Sequence, residues 1–404
     1  MSSVSPTHTS IPISSRIRNF SYAIRNIAVE AQKVEAAGTR VRYLNVGNPP
    51  AFGFQPPIHM IEAVERAMRD GENGYSPSPG IAIAREAVAD EYTTRGFPVS
   101  ADRVLISSGT SEAIELALSA LVDEDGEVLV PLPTYPLYTA VIAKLGARAV
   151  YYKTDPSQRW MPDLDHLHSV VTAATRAIVV IDPNNPTGVH YSDSVRKALI
   201  GFADHHGLAI LADEVYGDLG YEGPVAPIGA LAPDAPIVSV SSLSKGFVAP
   251  GWRTGWLAVG RSSRLDDLLA ALKKLADGRL CSNVPMQHAI PAALTGDRTH
   301  QRTFRAALEE RATVTTRALQ AMPGVTCVAP EAAFYVMPRV TLPPGRTDEE
   351  YVVALLRATG LLCVHGSGFG LRPDDGFLRI VFLASPDELR EIFALMAVFT
   401  ATYV

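Results

Sequence analysis

The stretch PIVSVSSLSKGFVAPGWRTGW, Pro236 to Trp256, decides how this sequence folds. PIVSV is a short, β-branched apolar run opened by a proline, and it reads as a buried strand. A lysine just past its end, Lys245, needs a partner or a shifted pKa, because an isolated buried ammonium is costly. Arg253 follows eight residues later. Working back from this strand, the apolar runs VLI, EVLVP, ARAVYY, AIVVID and LAILAD alternate with helix-like segments such as SEAIELALSAL and SDSVRKALIGFADHH. That alternation predicts parallel βαβ units with right-handed crossovers, hence an α/β fold. In such sheets the C-terminal ends of the strands open on one crevice where ligands bind. Lys245 is expected to point into it.

Working forward, the pattern changes after WLAVG. Helical periodicity covers about 262–276 and 301–321, followed by short strands around TCVA, AFYVM, LLCV and FLRIVFL, and by two amphipathic helices in DEEYVVALLRA and PDELREIFALMAVF. These segments predict a smaller α+β domain. The expected division is a Ser/Thr/Pro-rich, poorly ordered 1–20, an N-terminal arm and helix at 21–57 contributing to the small domain, a large domain at 58–295 and the small domain at 296–404. The first helix pattern runs from Arg25 to Ala37 and stops at Gly38. Further helices are predicted near 58–70 and 81–95.

With 404 residues the chain is long enough for a large core, and its 47% hydrophobic and 19% charged content is that of an ordinary globular protein. A net charge of −6 without a basic face argues against nucleic acid as a partner. The N-terminal MSSVSPTHTSIPISS has no secretory pattern, and no run is long and apolar enough for a membrane span, so a cytoplasmic location is expected. Cys281, Cys327 and Cys363 are scattered, and His205-His206 has no ligand spacing with a thiol or carboxylate. Neither a disulfide framework nor a metal site is expected.

Four strand ends carry the chemistry. A lysine amine can form a Schiff base with an aldehyde if its charge is suppressed near neutral pH. Ser242 and Arg253 flank Lys245 in sequence, and a guanidinium there suits a phosphate and also depresses the lysine pKa. SSGTSEAIELALSAL follows VLI, so Gly109, Thr110 and Ser111 open a helix whose free N–H groups favour an anion. Ser and Thr also start helices as ordinary caps. AIVVIDPNNPTG puts Asn185 at the crevice mouth, and LAILADEVYGD delivers Asp213 and Tyr216. An aspartate ending an apolar strand needs a cation or a capping role. Together these groups describe a pocket for pyridoxal phosphate, with Asp213 on a protonated pyridine nitrogen.

SxSK followed by GxRxG, with NPTG and DEVY upstream, resembles the class I/II aminotransferases of the aspartate aminotransferase fold, over nearly the whole chain from about residue 22. YLNVGNPPAFGF, RLCSNVPMQHAI and YAIR are most similar to bacterial glutamate–pyruvate (alanine) aminotransferases; SKGFVAPGWRTGW and DEVYGD also resemble tyrosine aminotransferases. The resemblance implies a large domain built on a mostly parallel sheet of seven strands, a homodimer with shared active sites, and a ping-pong exchange of an amino group between an amino acid and a 2-oxo acid. Lys245 would hold the coenzyme and then shuttle a proton. Asn185 and Tyr216 would bond the ring's phenolic oxygen, and Tyr135 would stack on the ring. The phosphate would meet Thr110, Ser111, Ser242 and Arg253, with Tyr75 of YSPSPG reaching in from a second subunit. Arg379 in FLRIVFL would clamp the substrate carboxylate with the Gly47 backbone, and Tyr22 and Arg25 would line the substrate side. An arginine in an apolar strand has a plainer reading, neutralisation by Asp387 or Glu388.

Rival functions also have motifs. Ser242-Leu-Ser-Lys245 matches SxxK of serine hydrolases, but that motif opens a helix and needs a later K[ST]G strand, which is missing. A binding protein on the same scaffold would give lysine, aspartate and arginine no reason to co-occur. Same-fold lyases and decarboxylases, and aromatic aminotransferases, start from the same site and remain open from the sequence.

Overall fold

The computed structural model describes residues 11, 13–18 and 27–403. Most of the first twenty residues lie outside that set, as do Tyr22 and Arg25. The central sheet has eight strands: β1 (Val104–Ser107), β2 (Glu127–Leu132), β3 (Arg148–Asp155), β4 (Met161–Pro162), β5 (Thr175–Ile181), β6 (Ala209–Asp213), β7 (Ile237–Ser242) and β8 (Gly255–Val259). Their order is β1-β8-β7-β6-β5-β2-β3-β4, with β8 and β4 antiparallel to their neighbours and the rest parallel. The sheet is mostly parallel, as expected, but it has one strand more than the predicted seven. The eighth is β4, two residues long, formed where the turn after Asp155 folds the chain back along β3. A two-residue pairing leaves no periodicity to read.

Alternate strand residues feed opposite cores, which is why the runs are apolar throughout. Leu105, Val128, Val130, Val179 and Leu257 pack with the helices Thr110–Leu121 and Asp266–Gly278 on one face. Ile106, Leu129, Ile178, Val180 and Ala258 pack with Ala82–Thr94 and Asp193–His206 on the other. The last of these helices starts where the Ser192 hydroxyl accepts the Val195 N–H, and ends at Gly207 with φ of 70°, a left-handed position that glycine adopts without strain. His205 and His206 form its last turn.

A third core joins Ile27, Ala31, Val34 and Leu44 to residues between Phe304 and Met396. The N-terminal helix Ala28–Ala36 belongs to it, and Arg42–Tyr43 pairs in parallel with Leu361–Leu362. Within this region β9 (Tyr335–Val336) and β10 (Val364–His365) flank β11 (Leu378–Val381), both antiparallel to it. The long helix Thr299–Gln320 and the C-terminal Pro386–Tyr403 cover these strands and pack on one another. Among the described residues no helix is long and apolar enough to cross a membrane.

Candidate active site

The C-terminal ends of β1, β5, β6 and β7 converge on a cavity of about 420 Å³. Gly47, Thr110, Ser111, Tyr135, Asn185, Asp213, Tyr216, Ser242, Lys245, Arg253 and Arg379 all line it. Gly109 stands just behind, at the N-cap of the helix Thr110–Leu121. Tyr75 does not reach the cavity of its own chain, and it is 86% exposed.

Lys245 sits in the turn after β7 and donates a hydrogen bond from Nζ to the Gly47 carbonyl, at 2.8 Å. It is half-buried because it faces an open cavity, yet protein atoms crowd the amine. That burial, followed by repulsion from Arg379 and Arg253, lowers its pKa to about 8 against the pull of Asp213. Asp213 ends β6 and is almost fully buried. Desolvation raises its carboxyl to about 6, opposed by hydrogen bonds from the Tyr138 hydroxyl at 2.9 Å and the Val215 N–H at 3.3 Å, and by Lys245. A buried carboxylate held only by neutral donors and one distant amine is poised to take a cation.

Arg379 lies on β11 and is 2% exposed. Its guanidinium is stacked between Tyr335, 4.9 Å from the ring centroid, and Phe369, 4.8 Å away. Nη1 donates to Asn185 Oδ1 at 3.2 Å and Nη2 to the Asn45 carbonyl. The carboxylates weighed as its neutralisers have local partners, Asp387 with Arg390 and Glu388 with Ser385 just before the helix. A planar guanidinium at the cavity wall presents paired donors of the kind that suits a carboxylate.

The anion end is built from close backbone approaches. A Cβ on Gly255 would lie 2.8 Å from Thr110 N and from the Gly109 carbonyl carbon, and one on Gly109, at φ of 79°, would overlap the Arg253 guanidinium. Arg253 itself takes φ of 51°, an uncommon left-handed conformation for a side chain-bearing residue, and is held by the Pro250 carbonyl at 2.9 Å. Thr110 Oγ1 is buried with no hydrogen-bond partner. An orphaned hydroxyl, free helix N–H groups and a guanidinium at one spot fit a phosphate. The lysine, aspartate and phosphate cradle together fit pyridoxal phosphate.

Two residues escaped the sequence reading. Tyr138, buried and three residues beyond Tyr135, holds Asp213. Tyr335 stacks on Arg379 and its hydroxyl lies 2.8 Å from that of Tyr216. The repeated tyrosine of PLPTYPLY, one helical turn apart, was the available signal for Tyr138; AFYVM offered none beyond an apolar strand.

Residues 40–394 match the profile of the aminotransferase class I and II family. The chain is 37% identical over 401 residues to the glutamate-pyruvate aminotransferase AlaA of Haemophilus influenzae, covering 97% of this chain and 98% of that one. Against the alanine aminotransferase of Mycobacterium tuberculosis it is 37% identical over 402 residues, covering 96% and 92%. Among solved structures it is similar to an alanine aminotransferase from Pyrococcus furiosus, with a TM-score of 0.94, 34% identity, and coverage of 97% of this chain and 100% of that one.

Proposed function

Because this chain belongs to the class I and II aminotransferases, we propose that it transfers an amino group between alanine or glutamate and the 2-oxo acids pyruvate and 2-oxoglutarate, with pyridoxal 5′-phosphate as coenzyme. The family is generally dependent on this coenzyme, and its members act on amino and oxo acids. The convergence of Lys245, Asp213, Arg253 and Arg379 on one cavity carries the reading. When bound, the coenzyme supplies an aldehyde carbon for the amino group and a ring that draws electrons from the substrate Cα.

The chain's residues do the rest. Lys245, with an amine that loses its proton at about pH 8, would hold the coenzyme through its aldehyde carbon and, when displaced by substrate, would take and return a proton at Cα. Asp213 pairs with the cationic ring nitrogen and is kept in place by Tyr138. Asn185 and Tyr216 would bond the phenolic oxygen, and Tyr135 would cover the ring. Arg379 binds the α-carboxylate as a two-pronged donor, with the Gly47 backbone beside it. Thr110, Ser111, Ser242 and Arg253 would hold the phosphate. One site serves both amino acids in turn, which makes the exchange ping-pong.

The test is a half-reaction. L-Alanine alone should convert the bound coenzyme to its amine form and release pyruvate in equal amount; a lyase would release ammonia instead and leave the coenzyme unchanged. A panel of donors with pyruvate and 2-oxoglutarate then separates alanine and glutamate from aromatic amino acids.

We also propose a homodimer. Tyr75 sits in a loop rich in proline and glycine and leaves its side chain in the open, and Ile58, Ile61 and Leu280 are exposed as well. A second copy related by a two-fold axis would bring each Tyr75 to its neighbour's phosphate. Tyr75→Phe should weaken coenzyme binding about tenfold, or ~1–2 kcal/mol, the scale of one hydrogen bond to a charged group. Donor preference should not change. Titration of coenzyme into the variant, and sedimentation of the unaltered chain on dilution, check both points; a fully active monomer refutes the shared site.

A further inference from the structure

We infer that Arg279 is a positioning residue for the phosphate end of the cavity, acting by neutralising the carboxylate of Glu112. The inference rests on the coenzyme reading above. Glu112 is the third residue of the helix Thr110–Leu121. Its Oε2 accepts the Ser108 N–H at 2.6 Å, and the carbonyl of the same Ser108 accepts from Arg253 Nη2 at 3.4 Å. One residue therefore separates a carboxylate from the guanidinium that lines the cavity. An acidic group in a first turn favours the helix itself. Here the same charge opposes a phosphate dianion at that helix terminus and draws on the positive charge of Arg253.

Arg279 closes the other side of Glu112. Its Nε lies 3.3 Å from Glu112 Oε1, and its Nη2 donates to the Ile106 carbonyl at 2.6 Å and the Ser78 carbonyl at 3.4 Å. The side chains of Arg279 and Glu112 are 15% and 25% exposed, so water and salt screen the pair only in part. Neither lines the cavity. The charges run positive, negative, positive from Arg279 through Glu112 to Arg253. With Arg279 in place, Glu112 is satisfied from behind and Arg253 keeps its charge for an incoming phosphate monoester. Arg279 opens RLCSNVPMQHAI, a motif to which the reaction itself assigns no task.

The experiment measures dissociation constants of pyridoxal phosphate and of phosphate-free pyridoxal on the full-length chain by absorbance titration. Arg279→Gln should weaken pyridoxal phosphate about tenfold, the scale of one charge interaction in a half-buried setting, and leave pyridoxal unaffected. Adding Glu112→Gln to that variant should restore affinity to within about threefold of the unaltered chain. Glu112→Gln alone should tighten pyridoxal phosphate, which keeps the test available if Arg279→Gln does not fold. A framework role for Arg279, through the Ile106 and Ser78 carbonyls, would weaken both ligands and would not be rescued at Glu112. Either result overturns the inference, as does unchanged affinity in Arg279→Gln or in Glu112→Gln. An unaltered chain that binds pyridoxal but not its phosphate overturns the inference alone; one that binds neither overturns the coenzyme reading with it.

Discussion

Lys245→Ala should lower turnover by about four orders of magnitude, the upper range for a positioned proton-transfer group, and should abolish covalent attachment of the coenzyme. Among the described residues no other lysine lines the cavity, so no second amine there takes over attachment. The residues proposed to hold the phosphate come from the helix after β1, from Ser242 and from Arg253, and none of them bonds the lysine amine. Coenzyme should therefore still bind, reversibly. Borohydride treatment followed by mass measurement distinguishes the two forms: the unaltered chain gains the mass of the reduced coenzyme and the variant does not. A variant that still fixes coenzyme and turns over at near-normal rate would sink the central assignment. In the unaltered chain, attachment should speed up as pH rises through about 8, because the neutral amine is the reactive form.

Asp213→Ala should cost at least two orders of magnitude in turnover with the fold retained, since on the proposed reading the removed charge would hold the ring nitrogen protonated. The sign of the pH effect follows from burial. Desolvation puts the carboxyl of the coenzyme-free chain at about 6, so it is ionised above that pH and neutral below it. Coenzyme association should weaken as pH falls through about 6, more steeply in the unaltered chain than in Asp213→Ala, where only the phosphate monoester's own ionisation, also at about 6, remains. Stopped-flow binding across this range, with turnover beside it, decides the matter. A loss of less than about tenfold, roughly 1.4 kcal/mol of barrier, would place the ring nitrogen's partner elsewhere.

The parts of the fold that could be read were those where local pattern and tertiary role coincide. β5, β6 and β7 are buried on both faces, so their apolar runs announce parallel strands, and each run ends on a residue that lines the cavity or leads straight to one. Asp213, Asn185 and Lys245 are therefore legible as polar residues at the ends of apolar runs. Tyr335 is not, and Tyr138 only through the repeated tyrosine of PLPTYPLY, because each is an ordinary buried aromatic in its own element and gains its task from a residue distant in sequence. β4 is invisible for a different reason: its two residues pair because of a turn, not because of a pattern. Tyr75 was legible through the resemblance alone, since no local feature ties an exposed tyrosine to a cavity elsewhere.

The order of the central sheet also bears on how the chain is made. β1 leads into the helix Thr110–Leu121 at the cavity, and in the sheet it pairs with β8, Ser107 with Gly255 and Val104 with Ala258. During translation β1 leaves the ribosome long before that partner exists, a four-residue strand destined for complete burial with both edges unpaired. β2 to β7 can assemble in the meantime, so a nascent chain passes through a stage with a partial sheet and a stray apolar strand. Pairings between such remote segments form slowly, and exposed edges of this kind invite association with other chains. Release of the chain before Val259 should thus yield aggregates rather than a smaller folded unit, and chaperone demand should peak in the interval before β8 emerges.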